Sequence, residues 1–464
     1  MQMNLRFIIG IAGAILACAL FAGAQEDTRT NPGTAAAPPP GGTVTQDTGT
    51  SGDNMDPDTH SLTGIEPLGV GSDRTARSFI APTIQVTEYG DTNPGIAGRG
   101  TSVDSVTNPS GSLDMRRLWS HAQFNAHYTA GGFIYASDSE FNSMYHQFSL
   151  SQSFTGRRWS VTLADAGSYL PQTSFGFFGS GVGGIGLNPQ FLANQTILTG
   201  NTTQVTNNAL GEVDYLLSPR SSISMSGSFD ITHFTGSFGS DSHQERGQIG
   251  FNHELGRRDT LGLSYAADLT QYSGTAFPSF ITHSFNINYG HRVTGRLALQ
   301  LSGGPQLING NDFLPGAGIE VSWNAQAGVV YRTARSSFGV TYWRYSNAGA
   351  GVFNGASTQA VSGSVTHRLA RTLTGSVTGG YARNTNLINL VGLAPEQVIN
   401  TEYGGVQVSH PLGHTASIYF SYMVQNQTGN VPILCEGALC AGDALRHVFG
   451  AGFSWTPRPL LIGR

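Results

Sequence analysis

Leu261-Gly262-Leu263-Ser264-Tyr265-Ala266-Ala267-Asp268-Leu269-Thr270 sets an apolar residue against a small or polar one at nearly every step. A side-chain period of two belongs to an extended strand, whose successive side chains leave opposite faces. The same texture recurs at 321–331, where Val321, Trp323, Ala325, Ala327, Val329 and Tyr331 share one face. It recurs again at 415–424, with Ala416, Ile418, Phe420, Tyr422 and Val424 on one side. A soluble sandwich would alternate in the same way, so length decides. These runs cover about 10 to 14 residues, whereas globular strands usually have ~5–6 and tilted bilayer-spanning strands need ~9–11.

Short turns punctuate the strands at a nearly constant interval. Taking Gly156, Pro219, Arg257, Thr294, Ala334, Ala370 and Gly413 as markers, the spacings are 63, 38, 37, 40, 36 and 43 residues. One long loop accounts for the first value. A hairpin unit of about 38 residues, with short turns at one end and longer loops at the other, is the pattern of a transmembrane barrel. One unit before Gly156 lies a turn near Ser120 and His121, between a run at 113–119 and another at 123–135. Residues 79–89 make a first strand despite Pro82, which an edge or first strand tolerates best. Residues 446–455 close the sheet. The expected fold is therefore all-β: a transmembrane antiparallel up-and-down barrel of 18 strands, or 16 if the first pair stands outside the wall.

Composition agrees with a surface that does not face water. Charged residues are 11% of the 464-residue chain, against roughly 25% in typical globular domains. All 24 basic residues are Arg. With no Lys, Schiff-base chemistry and the phosphate-gripping lysines of P-loops and kinases are excluded. A net charge of -5 with no basic stripe argues against nucleic-acid binding.

Residues 1–24 read as a signal peptide. Arg6 precedes an apolar run at 7–21, and Ala22-Gly23-Ala24 has the small-x-small form of a cleavage site. Cys18 falls inside that run, where it is either discarded with the leader or a lipidation site with an imperfect match before it. Residues 25–77, rich in Thr, Pro and Gly and free of aromatics, are expected to be a disordered periplasmic arm. The barrel then occupies 78–456 and a C-terminal tail 457–464. Cys435 and Cys440, five positions apart in an exported chain, are expected to form a disulfide at a loop tip.

The last strand carries the most specific token. Gly450-Ala451-Gly452-Phe453-Ser454-Trp455 resembles the Gly-x-x-aromatic-x-aromatic signal read by the barrel-assembly machinery, with Gly450, Phe453 and Trp455 at the matching positions. It departs from that pattern at Val448, where a polar residue is usual, and in the nine residues that follow Trp455. On this basis the chain resembles bacterial outer-membrane β-barrels of porin type over 79–455. The opening Ala81-Pro82-x-Ile84-x-Val86-x-Glu88 with Asp91-Thr92-Asn93 also resembles porin-like barrels associated with surface-polymer export. The resemblance implies an outer-membrane location, lipid and the assembly machinery as partners, and leaves a homo-oligomer open. Porins of known fold often bend the third external loop into the lumen, which here would be 174–201.

If the apolar parity faces lipid, the other lines the interior. It gives Glu212, Asp214, Asp230, Arg246, Asp268, Gln300, Asn324, Gln326 and Tyr419 as lumen residues. Asp165 breaks the rule, because alternation from Trp159, Val161 and Leu163 points it at lipid; a β-bulge or the headgroup zone would accommodate it. Arginines gather at the short turns, among them Arg157, Arg158, Arg257, Arg258 and Arg371. They read equally as a cationic collar on anionic headgroups or as ordinary turn chemistry. Trp159, Tyr289, Tyr331 and Trp455 near those turns fit an interfacial girdle.

Other constellations do not form sites. Gly179-Ser180-Gly181-Val182-Gly183-Gly184 matches GxGxxG, but no helical pattern follows to receive a pyrophosphate. No metal-ligand spacing occurs among the 13 histidines, and neither metal nor cofactor is expected. Asp241-Ser242-His243 is the best catalytic candidate, and adjacency is not triad geometry. The reading is a non-enzymatic channel for small polar solutes with a weakly acidic lumen. The alternatives are a non-conducting structural or binding barrel, a polymer-export component or, last, a hydrolase.

Overall fold

A computed structural model describes residues 78–95, 103–171, 196–198, 203–235, 239–273, 279–310, 319–349, 352–353, 355–387, 397–430 and 443–462, with the backbone of 98–99, 433–435 and 438–440. The leader and arm assigned to 1–77 lie outside the described residues.

Eighteen long strands make one wall. The first six are β1 (Phe79–Asp91), β2 (Asp104–Leu118), β3 (Ala122–Tyr135), β4 (Ser143–Thr155), β5 (Trp159–Leu170) and β6 (Gln204–Ser218). Next come β7 (Ser221–Phe234), β8 (Ser242–Glu254), β9 (Asp259–Tyr272), β10 (Phe280–Arg292), β11 (Leu297–Gly310) and β12 (Glu320–Arg332). The last six are β13 (Ser336–Asn347), β14 (Ala356–Arg368), β15 (Thr374–Asn386), β16 (Val398–Pro411), β17 (Ala416–Gly429) and β18 (Ala444–Trp455). Each pairs antiparallel with its sequence neighbours, and β18 pairs with β1 as well as β17, which closes the ring. This is the 18-stranded up-and-down barrel expected from the alternation and the turn spacing. Short connections of two to five residues lie at one end and the longer ones at the other.

Large apolar side chains cover the outside. Leu261, Leu263, Phe285, Ile287, Met225, Ile249 and Phe251 are all exposed, and each falls on the parity that faces away from the ring. In β6 a register shift between Leu216 and Ser218 interrupts the alternation, and Leu216 and Leu217 are consequently both exposed. Three outward Tyr–His pairs join adjacent strands at matching height: Tyr128 with His146 at 2.9 Å, Tyr265 with His283 at 2.8 Å, and Tyr422 with His447 at 2.9 Å. Each His stands three residues from the long-loop end of its strand. Rings that are apolar at one end and polar at the other suit a membrane–water boundary.

Asp165 keeps its outward parity in an unbroken register with β6, so no bulge accommodates it. It is 1% exposed, and its Oδ1 accepts from Asn207 Nδ2 on β6 at 2.7 Å. A neighbouring amide, itself on the outward parity, supplies the partner that lipid cannot.

The seam between β1 and β18 uses aromatic rings laid over glycine. Tyr89 opposes Gly450 and Phe449 opposes Gly90 in the register. A Cβ on Gly450 would stand 2.5 Å from Tyr89 Cδ1, and one on Gly90 would collide with the Phe449 ring. One ring covers the seam from inside and the other from outside. Tyr419 of β17 reaches over Gly452 to bond Thr87 of β1, and accepts from Gln85 Nε2 at 2.6 Å. At the long-loop end Arg446 grips Asp91 through Nε at 3.0 and 3.1 Å and through Nη2. The two side chains are 5% and 2% exposed.

Beyond Trp455 the chain continues along the same seam, where Leu460 and Leu461 pair with Ile80 and Phe79. Ile84–Asp91 pair with β18, and residues 81–83 between the two pairings have no strand partner on that side, where Thr83 meets Thr456 through their hydroxyls at 3.0 Å. Pro82, which has no N–H to donate, occupies that gap.

Arg446→Ala leaves Asp91 buried and uncompensated, and is expected to lower the unfolding free energy by about 3–5 kcal/mol. The double variant Arg446→Met with Asp91→Leu should recover most of the loss. Urea titration of the folded barrel in lipid vesicles measures both.

Candidate functional site

The inward parity is polar and falls into distinct arcs. The first runs over β6–β9. Asp230 accepts from Asn208 Nδ2 on β6. One register row further, Arg246 of β8 opposes Asp268 of β9, with Nη1 3.5 Å from Oδ1. Arg246 also donates to Gln248 Oε1 at 3.1 Å, and Asp268 Oδ2 accepts from Thr282 at 3.4 Å. Glu212 is buried one row further, and Asp214 Oδ2 accepts from Ser160 at 3.4 Å. Glu212, Asp214, Asp230 and Asp268 therefore share the arc with the Arg246 guanidinium, and Glu254 stands on the same parity at the short-turn end. A concentration of one sign against low-dielectric walls focuses the field inward.

The second arc is uncharged between its strand ends. On β11 and β12, Ser302 opposes Gln326, Gly304 opposes Asn324 and Gln300 opposes Gly328. An amide ladder continues it, in which Ser302 donates to Asn288 Oδ1 at 2.6 Å and Asn288 donates to Ser264 at 3.1 Å. Tyr419 stands apart from both arcs, at the closing seam. The sequence-derived lumen residues thus lie on the expected parity in two adjoining banks and one isolated position.

Facing the acidic arc, β15–β18 and β1–β4 border a cavity. Gln85, Asn108, Gln147, Thr378, Gln407 and Ser421 line it, and no charged side chain does. Ionisable groups beside it are already engaged. His127 bonds Asp114 through Nδ1 at 2.5 Å and Thr129 through Nε2 at 2.9 Å, and Arg446 holds Asp91. The sequence reading did not single out these residues. Their signal is uncharged polar residues at alternate positions of terminal strands that lack long apolar runs.

Two segments from the long-loop end bear on the inner face. Thr196 donates to Asn384 Oδ1 of β15 at 2.8 Å. Leu198 is clamped by Gln427 of β17, which accepts from its N–H at 2.7 Å and donates to its carbonyl at 3.1 Å. The Leu198 side chain packs with Trp343, Ala360, Ala382 and Ala444. Because β15 lies nine strands from β6 in an 18-membered ring, residues 196–198 of the β5–β6 connection lie against the wall opposite β6. The remainder of 174–201, including the GxGxxG stretch, lies outside the described residues. The β13–β14 connection packs instead on nearby strands: Ala348 packs with Tyr272, Phe280 and Ile308, and its carbonyl accepts from Tyr272 at 3.2 Å.

The Asp241-Ser242-His243 candidate is not assembled. Asp241 bonds His233 at 2.5 Å, His243 bonds Gln271 at 2.7 Å, and Ser242 takes the parity opposite to His243. The expected Cys435–Cys440 bridge concerns side chains outside the described residues; the backbone there is a small hairpin, 433–435 against 438–440. Gly450 serves the seam, while Phe453 and Trp455 face outward and are exposed. Among the described residues no group of three metal-ligating side chains occurs.

No family model matches the chain, and no curated protein matches it. Among solved structures it is similar to OccK2 (OpdF) of Pseudomonas aeruginosa in complex with glucuronate, with 8% identity, a TM-score of 0.41, and coverage of 82% of this chain and 98% of that one. It is also similar to Pseudomonas aeruginosa OpdQ, with 9% identity, a TM-score of 0.40 and coverage of 82% and 98%. Acinetobacter baumannii OccAB3 gives 9% identity, a TM-score of 0.40 and coverage of 82% and 99%.

Gln427→Ala removes both hydrogen bonds to Leu198 and exposes an unpaired N–H and C=O on the inner face. At about 1 kcal/mol net for each bond, amide exchange at Leu198 should accelerate roughly tenfold to thirtyfold, read by mass spectrometry on the folded barrel.

Proposed function

We propose that this chain is an outer-membrane channel through which small polar solutes diffuse. The observation that carries the reading is a closed ring of 18 strands with apolar side chains outside and polar ones inside. Barrels of 16–18 strands enclose enough space for an aqueous channel. A polar inner face has no use in a dry core, where each unpaired group would cost ~1–3 kcal/mol. Export of such a barrel requires the leader at 1–24 to be cleaved and Gly450, Phe453 and Trp455 to be read by the assembly machinery, with outer-membrane lipid around the finished wall.

In this reading Glu212, Asp214, Asp230 and Asp268, opposed by Arg246, line one side of the path and bias it toward cations and neutral solutes. Gln300, Asn324 and Gln326 extend the lining with hydrogen-bonding groups that can replace water around a passing solute. Passage is set by width, and the inward segment at Thr196–Leu198 and the inward fold at Ala348 narrow the long-loop half.

Those two inward segments also favour a second reading, a plugged barrel that serves as a binding or structural element. Planar bilayers separate the two. The channel reading expects stepwise conductance and a reversal potential on the cation side under a salt gradient. Asp230→Asn with Asp268→Asn should reduce the cation-to-anion permeability ratio roughly twofold. Folded protein that leaves the bilayer silent contradicts the channel and leaves the plugged barrel.

A further inference from the structure

We propose that the cavity between β15–β18 and β1–β4 is a binding site for a neutral polyhydroxylated solute, of the chemistry of a simple sugar, and not for a charged one. The inference rests on the reading of the barrel as a solute path and names the class of solute that this wall selects.

Three observations carry it. The first is the lining itself. The cavity has side-chain amides and hydroxyls on its walls and no ionised group among its lining residues, the kind of convergent polar groups that orient a ligand in a small-molecule site. The second is a set of polar atoms on the two walls of the cavity that the fold leaves without partners. Gln147 is 3% exposed, yet its Nε2 bonds nothing in the protein. Thr378 Oγ1 and Gln407 Oε1 on the facing wall are also buried and unpartnered. A donor amide on one wall and an acceptor amide on the other match a hydroxyl group, which both donates and accepts. The third is an aromatic surface beside Gln147 on the same wall. Phe133 and Tyr145 lie 5.3 Å apart, centroid to centroid, and both border the cavity with Tyr89. Ring faces offer an apolar contact to the C–H face of a pyranose while the amides take its hydroxyls.

Selectivity follows from what is missing. A carboxylate or ammonium entering here loses hydration and finds no charged side chain on the lining, while Asp114 and Asp91 nearby are held by His127 and Arg446. Burying an unpaired charge costs far more than burying a hydroxyl that finds a partner. The acidic arc on the opposite side of the ring remains the route for cations, so the two walls sort solutes by charge.

The test uses the full chain, refolded in detergent, with three solutes of nearly equal size: glucose, glucuronate and glucosamine. Saturation-transfer NMR should show saturable glucose binding, with the two charged analogues at least tenfold weaker. Gln147→Ala and Gln407→Ala should each weaken glucose at least fivefold, with folding checked by heat-modifiable electrophoretic mobility. Gln147→Glu, which places a carboxylate on the wall, should shift preference toward glucosamine. Absence of saturable glucose binding, equal or tighter binding of glucuronate, or unchanged affinity in both alanine variants overturns the proposal. Conductance of the same preparation separates the two readings. Binding with a silent bilayer removes the channel and keeps the site, whereas conductance without binding removes the site and keeps the channel.

Discussion

A backbone surrounded by hydrocarbon has no water with which to pair its N–H and C=O groups, so a membrane-spanning sheet must close on itself. Everything else in this molecule follows from the pairing of β1 with β18. The seam is built differently from the rest of the wall. It carries reciprocal aromatic-on-glycine contacts at Tyr89–Gly450 and Phe449–Gly90. It carries a tyrosine that reaches across a whole strand and a buried ion pair at its upper end. Cross-strand side-chain pairs each contribute only ~0.2–1 kcal/mol, so a junction without a local hairpin turn to set its register gains from several acting together.

Closure divides the environment in two, and the division explains where polar groups are found. The outward parity is apolar along the middle of the strands; polar groups on it bring a partner, as Asp165 does with Asn207, or stand near the long-loop ends, as Glu245, Arg383 and Glu402 do. The ionised residues of the inward parity are distributed unevenly around the ring. Carboxylates collect on β6–β9, while those beside the cavity across the lumen are held in pairs, Asp91 with Arg446 and Asp114 with His127. Two segments from the long-loop end lie on the inner face and attach to it through side-chain amides and apolar packing.

Strand number and parity were legible in the amino-acid sequence because both rest on local periodicity. The run 261–270 displays its two faces directly, and the seven turn markers give the hairpin unit without any long-range information. Positions of Asp230, Arg246 and Asp268 on one face follow from the same count. Their grouping into one arc does not, because it depends on the register between neighbouring strands. The cavity was hidden for a related reason. Gln85, Asn108, Gln147 and Gln407 are far apart in the chain, and only ring closure brings β1–β4 next to β15–β18. Pro82 looked like a weakness of the first strand; the tail that pairs on either side of it shows why a residue without an N–H fits there. Asp241 and His243 failed as a pair because each found a nearer partner on its own or the adjoining strand.

The central claim is that one parity of every strand touches lipid and the other touches water inside a closed ring. Single spin labels at successive positions 261–270 of β9, introduced by cysteine substitution in a chain whose own cysteines are replaced, measure this directly. The account predicts that labels at 261, 263, 265, 267 and 269 collide with oxygen dissolved in the bilayer, and that those between them collide with a water-soluble nickel chelate. Labels on both parities that respond alike, or inward labels that neither reagent reaches, would contradict it.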